Sequence, residues 1–167
     1  MLRTPTLVLA FLLTTLAADA RPRRADPPRR APAHLDAAAL VAARAEPLAE
    51  GIVRTRDLLL AIAEHESHFR PSIVRCQVKG DHGRAHGAYQ LHPEAFGDHT
   101  ADEVCANDQL QARLALVVLQ KYLKAFPDLG IEGAVRGYAS GRPAKDTLAA
   151  REILAMWKAR RVGTRRR

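Results

Sequence analysis

Apolar and polar positions alternate with helical period over most of this chain. Leu35 to Ala49 repeats Ala and Leu at that spacing, and Arg54 to Ser67 does so again, ending before Pro71. At about 100° per residue, Leu58, Leu59, Ile62 and Phe69 share one stripe of the second helix, and Glu66 falls in it. Glu64 points to nearly the opposite side, so the pattern predicts a solvated carboxylate two residues from one aimed at apolar surroundings. Residues 72–100 break the period. They hold Gly80, Gly83, Gly87, Gly97 and Pro93, which predicts turns and a small β element. Asn107 or Asp108 can cap a third long helix, whose buried face is marked by Leu110, Leu114, Val117 or Val118, and Leu119. It runs to about Ala125, before Pro127 and Gly130. Ile131 to Tyr138 predicts a short helix, 139–143 a loop, and Ala144 to Arg161 a last amphipathic helix with Ile153, Leu154 and Trp157. The fold class expected is α+β, predominantly helical, with a small β-bearing insert.

Length bounds this to one domain, since 167 residues hardly suffice for two. One Trp, three Tyr and four Phe leave the core to Ala, Leu, Val and Ile, which suits helices. The first twenty residues read differently. Arg3, the apolar run from Leu7 to Ala17 and the small residues Ala18 and Ala20 around Asp19 match a secretory signal peptide over 1–20, with Arg21 as the mature start. The alternative is an uncleaved N-terminal anchor. Export implies a periplasmic or extracellular protein, and an oxidising compartment favours a disulfide between Cys76 and Cys105, the only two cysteines. A buried free thiol or half of a metal site are the other readings.

The net charge of +8 invites a nucleic-acid reading, but its distribution argues against one. Residues 21–34 carry five arginines against one aspartate, and residues 158–167 carry six basic residues and no acid. Arg3 and Asp19 cancel, so residues 35–157 are left at −2. The basic, Pro-rich 21–34 is expected to be a disordered linker and 162–167 a basic tail, flanking a domain over 35–161. The ends are either an electrostatic contact to an anionic surface or plain solvated termini. No aromatic-basic interleaving supports a specific nucleic-acid partner.

The chemistry-bearing residue is Glu66. A carboxyl in apolar surroundings keeps its proton to higher pH, and a Glu protonated near neutrality is what a general acid needs. Its bland alternative is partial exposure, or pairing with Arg70 or Arg75. The stretch Ile62-Ala63-Glu64-His65-Glu66-Ser67-His68-Phe69-Arg70-Pro71 resembles the Glu-Ser-x-Phe-x-Pro segment of soluble, goose-lysozyme-like lytic transglycosylases. Gly87-Ala88-Tyr89-Gln90-Leu91 resembles that family's Gly-x-x-Gln-Leu segment, and Gly137-Tyr138-Ala139-Ser140-Gly141 its Ala-Tyr-Asn-Ala/Ser-Gly motif. Three motifs in order cover roughly residues 50–160.

That resemblance implies a lysozyme-like domain, acting as a monomer, that cleaves peptidoglycan glycan strands without a cofactor. Glu66 takes the place of the catalytic acid. It would protonate the oxygen between N-acetylmuramic acid and N-acetylglucosamine, then take the proton of the muramic 6-hydroxyl, leaving a 1,6-anhydro end. By the same match Tyr138 hydrogen-bonds near the catalytic Glu, Tyr89 and Gln90 line the sugar cleft, Ser67 supports the helix end, and Gly87 lets the backbone approach the sugars. Ala139 departs from the family's Asn, Tyr89 from its commoner Met, and His92 stands where goose-type lysozymes tend to carry an Asp.

Asp81 resembles another acidic position of those lysozymes. It is the candidate second carboxylate if the enzyme is a hydrolase, which needs two; otherwise it is a turn residue bonding its own backbone. A non-catalytic wall-binding module on the same scaffold is the reading from another class. Six histidines between 65 and 99 suggest metal, but His65-Glu66-Ser67-His68 is one residue short of the zinc-peptidase spacing, and no metal is expected.

Overall fold

A computed structural model describes residues 28–164, with side chains to residue 160. The signal peptide expected over 1–20, most of the linker and residues 165–167 lie outside the described residues. Seven helices follow in order: α1 (Ala33–Ala45), α2 (Ile52–Ser67), α3 (Pro71–Val74), α4 (Ala101–Ala106), α5 (Asp108–Ala125), α6 (Gly130–Ser140) and α7 (Leu148–Thr164). None of them is long and apolar enough to cross a membrane.

Local chemistry sets the ends. α1 stops at Ala45 rather than Ala49 because Glu46 precedes Pro47 and is driven out of helical geometry. α2 closes on His68 and Phe69, both with positive φ, after which extended Arg70 leads into Pro71 at the first turn of α3. α4, which periodicity did not reveal, starts with a capping box between Thr100 and Glu103. Asn107 caps α5, accepting the Leu110 N–H at 3.0 Å. α6 runs to Ser140, so Ala139 and Ser140 are helical rather than loop, because Gly141 takes the left-handed closing position at φ 68°. α7 begins at Leu148, after Thr147, whose hydroxyl accepts the Ala150 N–H.

The long helices form a closed circuit. α2 packs on α1 and α7, α5 on α1 and α6, and α6 on α7. The middle of α2 is enclosed: Leu58 to Ala63 are each no more than 1% exposed. Over that stretch the helix has no solvent face. The faces of its last turn are the reverse of those expected. Glu64, expected in water, is buried and paired with Arg160 of α7, and Glu66 is the partly exposed one. α7 also clamps α2 near its start, where the Arg54 guanidinium lies 4.1 Å over the Trp157 ring and Trp157 Nε1 donates to the Arg54 carbonyl.

Burial of Glu64 corrects the ends of the domain too. The Arg29 N–H donates to Glu64 Oε1 at 2.6 Å and the Arg29 carbonyl accepts from Arg160, so residues 28–32 pack on the domain instead of trailing as linker. Arg160, within the expected last helix, belongs to the fold although it counts toward the basic C-terminal charge. The expected β insert is reduced among the described residues to two antiparallel bridges, Gly80 with Ala85 and His86 with Leu91. Positive φ at Cys76, Asp81, His82, Gly83, Gly87 and Gln90 turns this segment too often for a strand to extend. The Cys76–Cys105 disulfide ties it to α4 across a Cα separation of 5.6 Å.

Candidate active site

A cleft of about 810 Å³ opens between the 81–97 turns, α5 and α6. Leu91, Val117, Tyr122 and Tyr138 form apolar wall; Asp81, Gln90, His92 and Lys121 supply polar groups. This explains a second departure from the periodicity. Of Val117 and Val118, one of which is expected in the core, both border the cleft and Val117 is 44% exposed, because α5 presents one side to the core and another to the cleft. The core side buries Leu114 and Leu119 as expected, with Gln111, Ala112, Ala115 and Leu116 beside them. Gly137 is required here: a Cβ on it would meet the Tyr122 ring at 2.5 Å.

Tyr138 joins the second and third motif segments. It lines the cleft, and its hydroxyl donates to the Tyr89 carbonyl at 2.7 Å. Burial pushes its phenol well above the ordinary range, and the nearby Glu66 charge pushes it further. Glu66 itself does not line the cleft. Its Oε1 lies 3.1 Å from Nδ1 of His65, so its partner is the neighbouring histidine, not Arg70 or Arg75. His65 Nε2 lies 3.2 Å from Oε2 of Glu152 on α7. His65 is raised above its ordinary range, first by the hydrogen bond to Glu66, against burial, with the Glu66 charge and then Glu152 adding to the rise.

The other motif residues divide sharply. Gln90 lines the cleft at φ 48° and donates to the Gly87 carbonyl at 2.9 Å. Asp81 stands on the same cleft, half exposed, with its carboxylate 3.7 Å from His92 Nε2. Tyr89 and Ser67, by contrast, are fully buried. Tyr89 therefore contributes its carbonyl, not its ring, to the cleft side of the fold; its hydroxyl has no hydrogen-bond partner among the described residues, and burial raises its phenol. Ser67 closes α2, donating to the Ala63 carbonyl and accepting the Phe69 N–H. Gly87 has positive φ, and a Cβ there would meet Gln111 Oε1 at 2.2 Å. Its role here is to admit buried Gln111, which accepts the Ala88 N–H at 2.7 Å.

Among the described residues, the metal-capable group is Cys76, His86 and Cys105, whose sulfurs are joined to each other. His86 packs against this bridge and the edge of Phe96, and burial lowers its proton affinity. A second hollow of about 810 Å³ lies between residues 28–33, α2 and α7, but no motif residue borders it. His65 and Glu152 are the site residues that sequence reasoning missed. Adjacency to Glu66 could have found the first; nothing in the local pattern points to the second. Compared with family models, with curated proteins and with solved structures, the chain matches none.

Proposed function

We propose that this protein is an exported lytic transglycosylase acting on peptidoglycan, with Glu66 as its single acid and base. What supports the reading is the joining of two motif segments at the cleft: Tyr138 is bonded to the Tyr89 carbonyl and lines the cleft with Gln90, while Glu66 lies outside that lining and acts on the Tyr138 phenol through its charge. A cleft lined by both apolar and polar groups suits a glycan, whose rings have apolar faces and hydroxyl edges.

In the proposed step the Glu66 proton goes to the glycosidic oxygen as its bond to the muramic C1 breaks. The 6-hydroxyl oxygen bonds to C1, and its proton passes to the Glu66 carboxylate. Atoms balance without water. One carboxylate suffices, whereas ordinary hydrolysis uses two. The Arg-rich ends would hold the enzyme to anionic wall polymer in the periplasm or outside the cell.

Asp81 favours one second reading, a lysozyme-type hydrolase, because its carboxylate stands on the same cleft. The test of Glu66 is a digest of purified sacculi with the wild-type protein and Glu66→Gln. The amide is nearly isosteric and cannot donate the proton, so release of soluble muropeptides should stop while circular dichroism stays unchanged. Full activity in the variant would sink the assignment.

A further inference from the structure

Adjacent residues on a helix do not ordinarily face each other, yet the His65 ring reaches the Glu66 carboxylate with one nitrogen and Glu152 with the other. These two carboxylates, one on its own helix and one from α7, are the charged groups facing the ring. Its side chain is 17% exposed, so the contacts are partly shielded from water.

Proton counting limits what this row can be. An ionised carboxylate only accepts, and a neutral imidazole has one donor and one acceptor nitrogen. A neutral imidazole between two ionised carboxylates would therefore leave one nitrogen lone pair against an oxygen. With Glu152 ionised, two arrangements satisfy both contacts. In one, an imidazolium donates to both carboxylates. In the other, protonated Glu66 donates to Nδ1 while Nε2–H donates to Glu152. They differ by the position of a single proton along the 3.1 Å line between Nδ1 and Oε1.

We infer that His65 is a positioning residue that shares one proton with Glu66, and that Glu152 holds the imidazole in place from α7. The inference rests on the reading of Glu66 as the acid and base. The pair keeps one proton at Glu66 ready for the glycosidic oxygen, and the proton returned from the 6-hydroxyl restores it. Glu152 touches no substrate; it acts by steadying the ring. The direction of the His65 titration agrees, since both carboxylates raise it. Losing the shared proton disrupts the row, so cleavage should have an alkaline limb set by the pair and not by either residue alone.

The experiment has two arms. In the first, side-chain nitrogen NMR follows the histidines of the purified protein with pH, and His65→Gln identifies the signal. The expected result is a midpoint lowered by roughly half a pH unit in Glu152→Gln, the size of a half-exposed carboxylate's coupling, and lowered further in Glu66→Gln. An unchanged midpoint in both variants would overturn the pairing. The second arm measures muropeptide release against pH. In Glu152→Gln the alkaline limb should move down by the same amount; a limb that stays put would overturn the role in cleavage. A merely structural Glu152 would change stability without moving either quantity. No cleavage by the wild-type protein, or full cleavage by Glu66→Gln, would instead overturn the reading of Glu66 and with it the catalytic role of the pair, and the first arm would still decide whether the proton is shared.

Discussion

Replacing Glu64 by Ala should destabilise the protein severely. The side chain is 5% exposed, with one oxygen accepting the Arg29 N–H and the other the Arg160 guanidinium. Truncation removes the carboxylate partner of a buried cation, a change that typically costs roughly 3–5 kcal/mol. Against a total stability of about 5–15 kcal/mol, that loss is large. It also frees residues 28–32 from the carboxylate that accepts the Arg29 N–H. Urea unfolding of the oxidised protein measures it. With a slope of about 2 kcal/mol per molar, the midpoint should fall by about 2 M at unchanged slope. Glu64→Gln keeps an acceptor for Arg29 and should lose less. If Glu64→Ala unfolds within about 0.5 kcal/mol of wild type, as a solvated surface residue would, the buried pair and the packing of α7 on α2 are wrong.

Three further outcomes follow from the same structure. Reducing Cys76–Cys105, which closes a separation of 29 residues, should cost about 3–4 kcal/mol in unfolding free energy on the chain-entropy model, checked by denaturation with and without reductant. Gly87→Ala combines positive φ with a clash on buried Gln111 and should cost about 2 kcal/mol or more, read as a fall in Tm; an unchanged Tm would return Gly87 to a role in sugar approach alone. His65 binds its proton more tightly folded than unfolded, so the stability it contributes is fully present below its unfolded value of 6.5 and is lost as pH rises through its raised folded value. Since Glu152 is half exposed, Glu152→Gln should be less stable than wild type by roughly 0.2–1 kcal/mol near pH 6, with the difference closing at alkaline pH.

Much of the helical layout was legible in the chain. The end of α2 before Pro71, the Asn107 cap and the cysteine pair depend on local chemistry, and local chemistry is written in consecutive residues. The faces of α2 were not legible. Its last turn reads as amphipathic, but which side meets solvent depends on where α7 lies, and Arg160 is 96 residues from Glu64. The β element failed for a related reason: glycines at 80–97 signalled turns correctly, but Cys76, Asp81, His82 and Gln90 of the same segment also take positive φ, which composition does not announce. At the site, the motif residues found Gln90, Asp81 and Tyr138 on one cleft. Motif matching placed Ser67 at the helix end but could not tell that Tyr89 serves the core, because a buried residue and a substrate contact can occupy the same motif position. His65 was visible only as one of six clustered histidines, and Glu152, 87 residues away, was not visible at all.

The mass of the muropeptides released from purified sacculi bears most directly on the proposed chemistry. A lytic transglycosylase releases products about 18 Da lighter than those of hydrolysis, because the 6-hydroxyl and not water closes the muramic C1. Those anhydro ends, made by the wild-type protein and absent with Glu66→Gln, are the predicted result. Reducing ends would contradict it, making the enzyme a hydrolase and Asp81 the residue to replace next. Absence of soluble products from the wild-type protein would contradict catalysis itself and leave a wall-binding module.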